Sequence, residues 1–152
     1  MITLSVNGRA ISVTTDPTAP LLDVLRGTLG MTGTRYGCGA ELCGACLVLV
    51  DGAPAYACSR EIGSLSGRAV TTVEGLGTPD SPHPIQLAML AVQAGQCGYC
   101  LSGMQIVAAA LLARTPSPSR MEIAAALGGN LSRCGAHPRI LAAVAQAAEA
   151  MQ

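Results

Sequence analysis

The sequence has no phenylalanine, no tryptophan and no lysine, and its only aromatic side chains are Tyr36, Tyr56 and Tyr99. Without the large rings that usually fill an interior, the core has to be assembled from Ala, Leu, Val and Ile. All cationic residues are arginines, nine of them from Arg9 to Arg139, balanced by nine acids and never gathered into a run. A concentrated basic face is what phosphate binding needs, so nucleic acid is excluded as a partner. Long apolar runs are absent too. The longest, Ile106 to Ala113, is far too short for a membrane span, and the start MITLSVNGRA has no basic cluster followed by an apolar stretch, so it does not read as a signal peptide. The expectation is a cytoplasmic protein with no membrane span.

Against those absences stand seven cysteines, eighteen glycines and nine prolines in 152 residues. An odd number of cysteines leaves one over in any full disulfide scheme, and in a reducing compartment tight local spacings favour metal ligation. Two small domains would also need such a crosslink, because an aliphatic core of roughly 80 residues or fewer is rarely sufficient alone.

The first third predicts strands. Ile2, Leu4 and Val6 alternate, Asn7-Gly8 follows, and Ile11 and Val13 resume the pattern, which is a hairpin signature. Residues 20–29 place Leu21, Leu22, Leu25 and Leu29 on one helical face behind Pro20. Strands are expected near 45–50, 54–58 and 69–73, the first two joined by Asp51-Gly52. The segment 75–84 holds two glycines and three prolines and marks a domain boundary. Beyond it the pattern is helical: 84–94, 101–114, 119–127 with Ser119 and Glu122 at capping-box spacing, and 138–151, whose alanines form a weak stripe. The expected fold is α+β, a ferredoxin-like domain over 1–76 and a four-helix domain over 77–152.

The cysteines carry the chemistry. Cys38-x4-Cys43-x2-Cys46 with Cys58 after eleven intervening residues has the spacing of a plant-type [2Fe-2S] site. One loop must wrap a flat two-iron rhomb and present three thiolates while a fourth arrives from a strand. Gly37, Gly39 and Gly44 suit this, since a backbone without β-carbons can wrap closely and aim N–H groups at sulfur. A four-cysteine zinc site would normally show two short knuckles, and only one is present. The second set, Cys97, Cys100 and Cys134, shows three ligands. By spacing alone, Cys97, Cys100, Cys134 and His137 equally suit a zinc site, and a zinc-stabilised scaffold module is the alternative reading of the chain.

The segments YGCGAELCGAC, QCGYCLSGM and GGNLSRCGAHPRI, in that order over nearly the whole chain, resemble the small subunit of the xanthine oxidase family of molybdenum hydroxylases. The wording SPHPIQLAML and RCGAHPRI is most similar to the nicotinate dehydrogenase and isoquinoline 1-oxidoreductase branch. The resemblance implies two [2Fe-2S] clusters, an outer one on Cys38, Cys43, Cys46 and Cys58 and an inner one on Cys97, Cys100 and Cys134. It implies a partner large subunit holding molybdopterin that hydroxylates an aromatic N-heterocycle or aldehyde. Electrons would return through the inner and then the outer cluster to an external acceptor, a flavin subunit or a cytochrome. It also implies that Gln96 and Cys134 lie close to the pterin. No substrate catalyst is expected on this chain.

Two positions depart from the family. Its inner motif ends Cys-Arg-Cys, whereas this chain reads Ser132-Arg133-Cys134. Three outcomes stay open: Ser132 ligates iron through oxygen, His137 takes its place, or the inner site is altered or empty. The second departure is Glu41-Leu42, where glycine and glutamine are commoner.

Overall fold

The computed structural model describes residues 1–152. Strands β1 (Ile2–Val6) and β2 (Arg9–Val13) pair antiparallel, from Ile2 opposite Val13 to Val6 opposite Arg9. Asn7 and Gly8 make the turn at φ 50° and 77°, the double left-handed geometry the dipeptide predicts. The Asn7 side chain also accepts from Thr72 N–H and donates to Thr72 Oγ1, tying this turn to the end of the strand that lies beside β1.

Helix α1 (Leu21–Asp23) opens behind Pro20 and widens at once into a π-type turn over Val24–Thr28. Here the structure departs from the expected regular helix. Leu29 N–H reaches back to Val24 O and Met31 N–H to Leu25 O, so the buried set is Leu21, Leu22, Val24 and Leu25, with Leu29 left half-buried at the margin. Strands β3 (Leu47–Val50) and β4 (Ala53–Tyr56) turn at Asp51-Gly52, and β5 (Ala69–Thr71) completes the sheet in the order β2-β1-β5-β3-β4. β5 runs parallel to β1 and antiparallel to β3. All three later strands are shorter than their apolar runs. Ala45, Cys46, Ala57 and Cys58 leave the ladder because they belong to the cysteine loops.

Strand β3 alternates between two cores. Cys46 and Val48 point into the one beneath α1, with Leu4, Val6, Ile62 and Val70. Leu47 and Leu49 face the other, built by the helices. The sheet is therefore covered on both faces, and no aromatic ring is fully buried in either core.

The second half holds α2 (Pro84–Ala91), α3 (Leu101–Arg114), α4 (Arg120–Ala126) and α5 (His137–Ala150). His83 Nδ1 caps α2 by accepting from Ile85 N–H, and Ser119 with Glu122 forms the capping box of α4. Helix α2 ends at Ala91, earlier than its apolar pattern, because Gln93 adopts φ 50° to turn the chain toward Cys97. The alanine stripe of α5 is more effective than its composition suggests. Ile140, Ala143, Val144, Ala147 and Ala148 follow i, i+3, i+4, i+7, i+8 and are all buried, and their small size lets α5 lie close against α2. Helix α3 packs on β3 and β4 and against α2 and α4. Residues 76–83 carry neither helix nor strand. No helix is long and apolar enough to cross a membrane.

Candidate metal centres

The loop from Gly37 to Cys46 folds around its own sulfurs. Cys38 Sγ accepts from Ala40 N–H at 3.3 Å and Leu42 N–H at 3.2 Å, while Cys38 N–H donates to Cys43 Sγ at 3.3 Å. Those first two N–H groups hold the Cys38 thiol down at about 7, since they favour the charged sulfur. Glycine is required here for space as well as dihedral angle. A β-carbon on Gly37 would lie 2.5 Å from Cys43 Sγ, and Gly39 and Gly44 take φ 68° and 72°. Glu41 takes φ 59° without being glycine, and its carboxylate accepts from Ser59 Oγ beside Cys58.

Cys58 arrives from the end of β4, where Ala57 N–H donates to Cys46 O. The Cys46 and Cys58 thiols are in hydrogen-bonding contact, and burial pushes Cys46 up to about 12. The four sulfurs thus gather as two pairs, Cys38 with Cys43 and Cys46 with Cys58. Two thiols for each of two irons is what a [2Fe-2S] rhomb takes. No three Cys, His, Asp or Glu side chains close on a single point.

The second set assembles from two interhelical turns. Cys97 and Cys100 precede α3, Cys134 lies just before α5, and the Cys134 and Cys97 sulfurs are 3.4 Å apart. The Tyr99 N–H and then the Cys134 thiol lower Cys97. Ser132 Oγ is buried without any hydrogen-bond partner. A cavity of about 220 Å³ is lined by Cys97, Cys100, Ser132 and Cys134 together with Gly37, Cys43 and Ala45 of the first loop. His137 instead lines the neighbouring cavity, with Met104, Leu127 and Ile140. Gln96 is exposed and shares a shallow cavity with Gly135 and Arg139 next to Cys134.

Several residues that position these sites escape a reading by motif. Leu131 N–H donates to Cys43 O at 3.0 Å and Asn130 Nδ2 to Gly44 O at 3.2 Å, so the segment before Ser132 is strung onto the first loop. A β-carbon at Gly103 would lie 1.9 Å from Gly44 O. An isolated glycine in an alanine-rich helix was the available signal for that approach. The Tyr99 hydroxyl donates to Tyr36 O, and the Arg35 guanidinium lies 5.6 Å from the Tyr99 ring centre.

Comparison with known proteins agrees with this two-site layout. The family model for the 2Fe-2S iron-sulfur cluster binding domain matches residues 4–68, and that for the [2Fe-2S] binding domain matches residues 72–145. One component of the nicotinate dehydrogenase of Pseudomonas putida is 49% identical over 148 residues, covering 97% of this chain and 94% of the relative. The alpha chain of isoquinoline 1-oxidoreductase from Brevundimonas diminuta is 46% identical over 150 residues, covering 98% of each. Among solved structures, quinoline 2-oxidoreductase from Pseudomonas putida 86 superposes with a TM-score of 0.93 at 36% identity, covering 98% of this chain and 93% of that one. The aldehyde oxidoreductase of Desulfovibrio desulfuricans gives 0.95 at 38% identity, covering 99% of this chain but 17% of the longer polypeptide.

Proposed function

We propose that this chain, which belongs to the small [2Fe-2S] subunits of the xanthine oxidase family of molybdenum hydroxylases, relays electrons from a molybdopterin-bearing large subunit to an external acceptor. The substrate oxidised on that partner is an aromatic N-heterocycle or an aldehyde, as the names of the nicotinate, isoquinoline, quinoline and aldehyde relatives suggest. The observation that carries the reading is the shared cavity. One loop thiol, Cys43, and three interhelical thiols, Cys97, Cys100 and Cys134, line the same space. When bound, the two clusters would supply one-electron redox steps.

The residues of this chain do the holding and insulating. Cys38, Cys43, Cys46 and Cys58 hold the outer cluster, with Gly39 and Gly44 allowing the loop to close over it. Cys97, Cys100 and Cys134 hold the inner one. Backbone N–H groups of Ala40 and Leu42 stabilise negative charge on the Cys38 sulfur. Cys46 is buried between the sheet and α1, which keeps water from that side of the outer site. Cys38 is exposed, and its edge faces the acceptor, a flavin subunit or a cytochrome. Gln96, which is exposed, and Cys134, which is half-buried, meet the pterin. We take the break between the two functional units to fall after Leu76, and the cell compartment to be the cytoplasm, where free thiols persist for cluster assembly.

The reading is tested on the complex purified with its partner subunit. Substrate should reduce two distinct [2Fe-2S] signals seen by electron paramagnetic resonance. In Cys43→Ala the outer signal should vanish and dye reduction stop while substrate still reduces the inner cluster. Unimpaired dye reduction in that variant defeats the proposal.

A further inference from the structure

Each iron of a [2Fe-2S] rhomb takes two protein ligands, and the thiols of this chain pair accordingly. The outer site offers Cys38 with Cys43 and Cys46 with Cys58. At the inner site Cys97 and Cys134 sit 3.4 Å apart as one such pair. That leaves Cys100 alone, because the chain has no eighth cysteine. Two other side chains on the cavity wall beside Cys97, Cys100 and Cys134 could bind iron as an anion, Tyr99 and Ser132, and the Tyr99 hydroxyl is already engaged in donating to Tyr36 O, which leaves Ser132. Its Oγ is buried and has neither a donor nor an acceptor within reach, a state a hydroxyl does not hold without cost. His137, the other candidate, opens α5 and lines a neighbouring cavity that Ser132 also borders but no cysteine does.

We propose that Ser132 Oγ is the fourth protein ligand of the inner cluster, paired with Cys100 on one iron while Cys97 and Cys134 share the other. The proposal rests on the two-cluster reading above and extends it to a site of three thiolates and one alkoxide. Ligation forms an iron–oxygen bond and breaks the Oγ–H bond, the proton passing to solvent, with no change of oxidation state. The hydrogen bonds from Leu131 N–H to Cys43 O and from Asn130 Nδ2 to Gly44 O fix the backbone on the N-terminal side of Ser132, so the hydroxyl is delivered without a mobile loop having to close. An anionic oxygen is a harder donor than sulfur and favours the ferric state, so the inner cluster is harder to reduce than its all-thiolate counterpart.

The test uses the complex with its large partner, prepared as wild type, Ser132→Ala, Ser132→Cys and His137→Ala. Each is measured for iron and acid-labile sulfide, for electron paramagnetic resonance after reduction, and for the midpoint potential of each cluster. Wild type should carry both clusters. Ser132→Ala should lose the inner signal and about half the iron while the outer signal, an internal check on folding, persists. Ser132→Cys should keep both, with an altered inner signal and a less negative inner potential, and His137→Ala should match wild type. An inner signal and iron content unchanged in Ser132→Ala, or lost in His137→Ala, would overturn the assignment. So would a wild type with only the outer cluster that gains the inner one in Ser132→Cys. A preparation lacking iron at both sites would sink the electron-relay reading itself.

Discussion

The hydroxyl of Tyr99 donates a hydrogen bond to the backbone carbonyl of Tyr36. Tyr99 lies between the inner-site thiols Cys97 and Cys100, and Tyr36 lies two residues before Cys38, so one side chain links the two metal loops directly. The same ring carries the Arg35 guanidinium on its face.

Tyr99→Phe isolates that link, because the ring and its cationic neighbour stay while the donor goes. The expected loss is about 1 kcal/mol of stability, the usual net worth of one hydrogen bond. It should fall on the cysteine loops and leave the remote helices unaffected. Hydrogen exchange read by mass spectrometry should show faster exchange in residues 35–45 and 97–101 and no change in α5; uniform change over the chain would contradict a local role.

Gly103 is a contact point of the two halves. Because a β-carbon there would fall 1.9 Å from Gly44 O, Gly103→Ala must push α3 and the outer loop apart. The magnetic interaction between the reduced clusters, which decays with distance, should weaken in this variant, and the outer cluster should be lost faster to a chelator. A β-carbon at Gly128 meets nothing within 4 Å, so Gly128→Ala serves as the control that should behave as wild type.

At position 41 a β-carbon and a carboxylate act in opposite senses. The left-handed φ of 59° costs a non-glycine residue about 1 kcal/mol, whereas the Ser59 hydroxyl donating to Glu41 pins the loop beside Cys58. Glu41→Ala keeps the strain and loses the bond, so it should be the least stable of the series. Glu41→Gly loses both and should recover about 1 kcal/mol relative to Glu41→Ala. Rates of bleaching of the outer cluster in denaturant would rank the three forms, and an alanine form outlasting the glycine form would refute the ordering.

The capping box of α4 sets a pH dependence. Hydrogen bonds from the Ser119 side chain and backbone hold the Glu122 carboxyl below its ordinary value. A carboxyl lowered on folding contributes stability above its unfolded value, about 4.3, and that contribution disappears as pH falls through the folded value. Thermal unfolding of wild type and Glu122→Gln should therefore differ at pH 7 and converge on acidification. Ser119→Ala should cost about 1 kcal/mol at neutral pH.

Much of this protein is legible in its sequence. Asn7-Gly8 and Asp51-Gly52 turn as their dipeptides require, since local sterics alone decide a left-handed pair. Pro84 and Ser119 mark real helix starts, because a fixed proline φ and a capping hydroxyl also act locally. Strand and helix ends are less legible. Ala45, Cys46 and Ala57 look like strand by composition but bend away to present sulfur, and α2 stops where Gln93 has to redirect the chain.

Sequence by itself determined the ligand inventory and its order: seven thiols, their spacing, and a serine where a further thiol is expected. Those are covalent facts about one strand of polymer. Only the tertiary structure decided the pairing of sulfurs, the approach of Gly44 to Gly103 and the isolation of Ser132 Oγ among Cys97, Cys100 and Cys134 while His137 turns elsewhere. Such relations join residues as far apart in the chain as Gly44 and Asn130, and they arise from packing two cores against the two faces of one sheet, which no local spacing encodes.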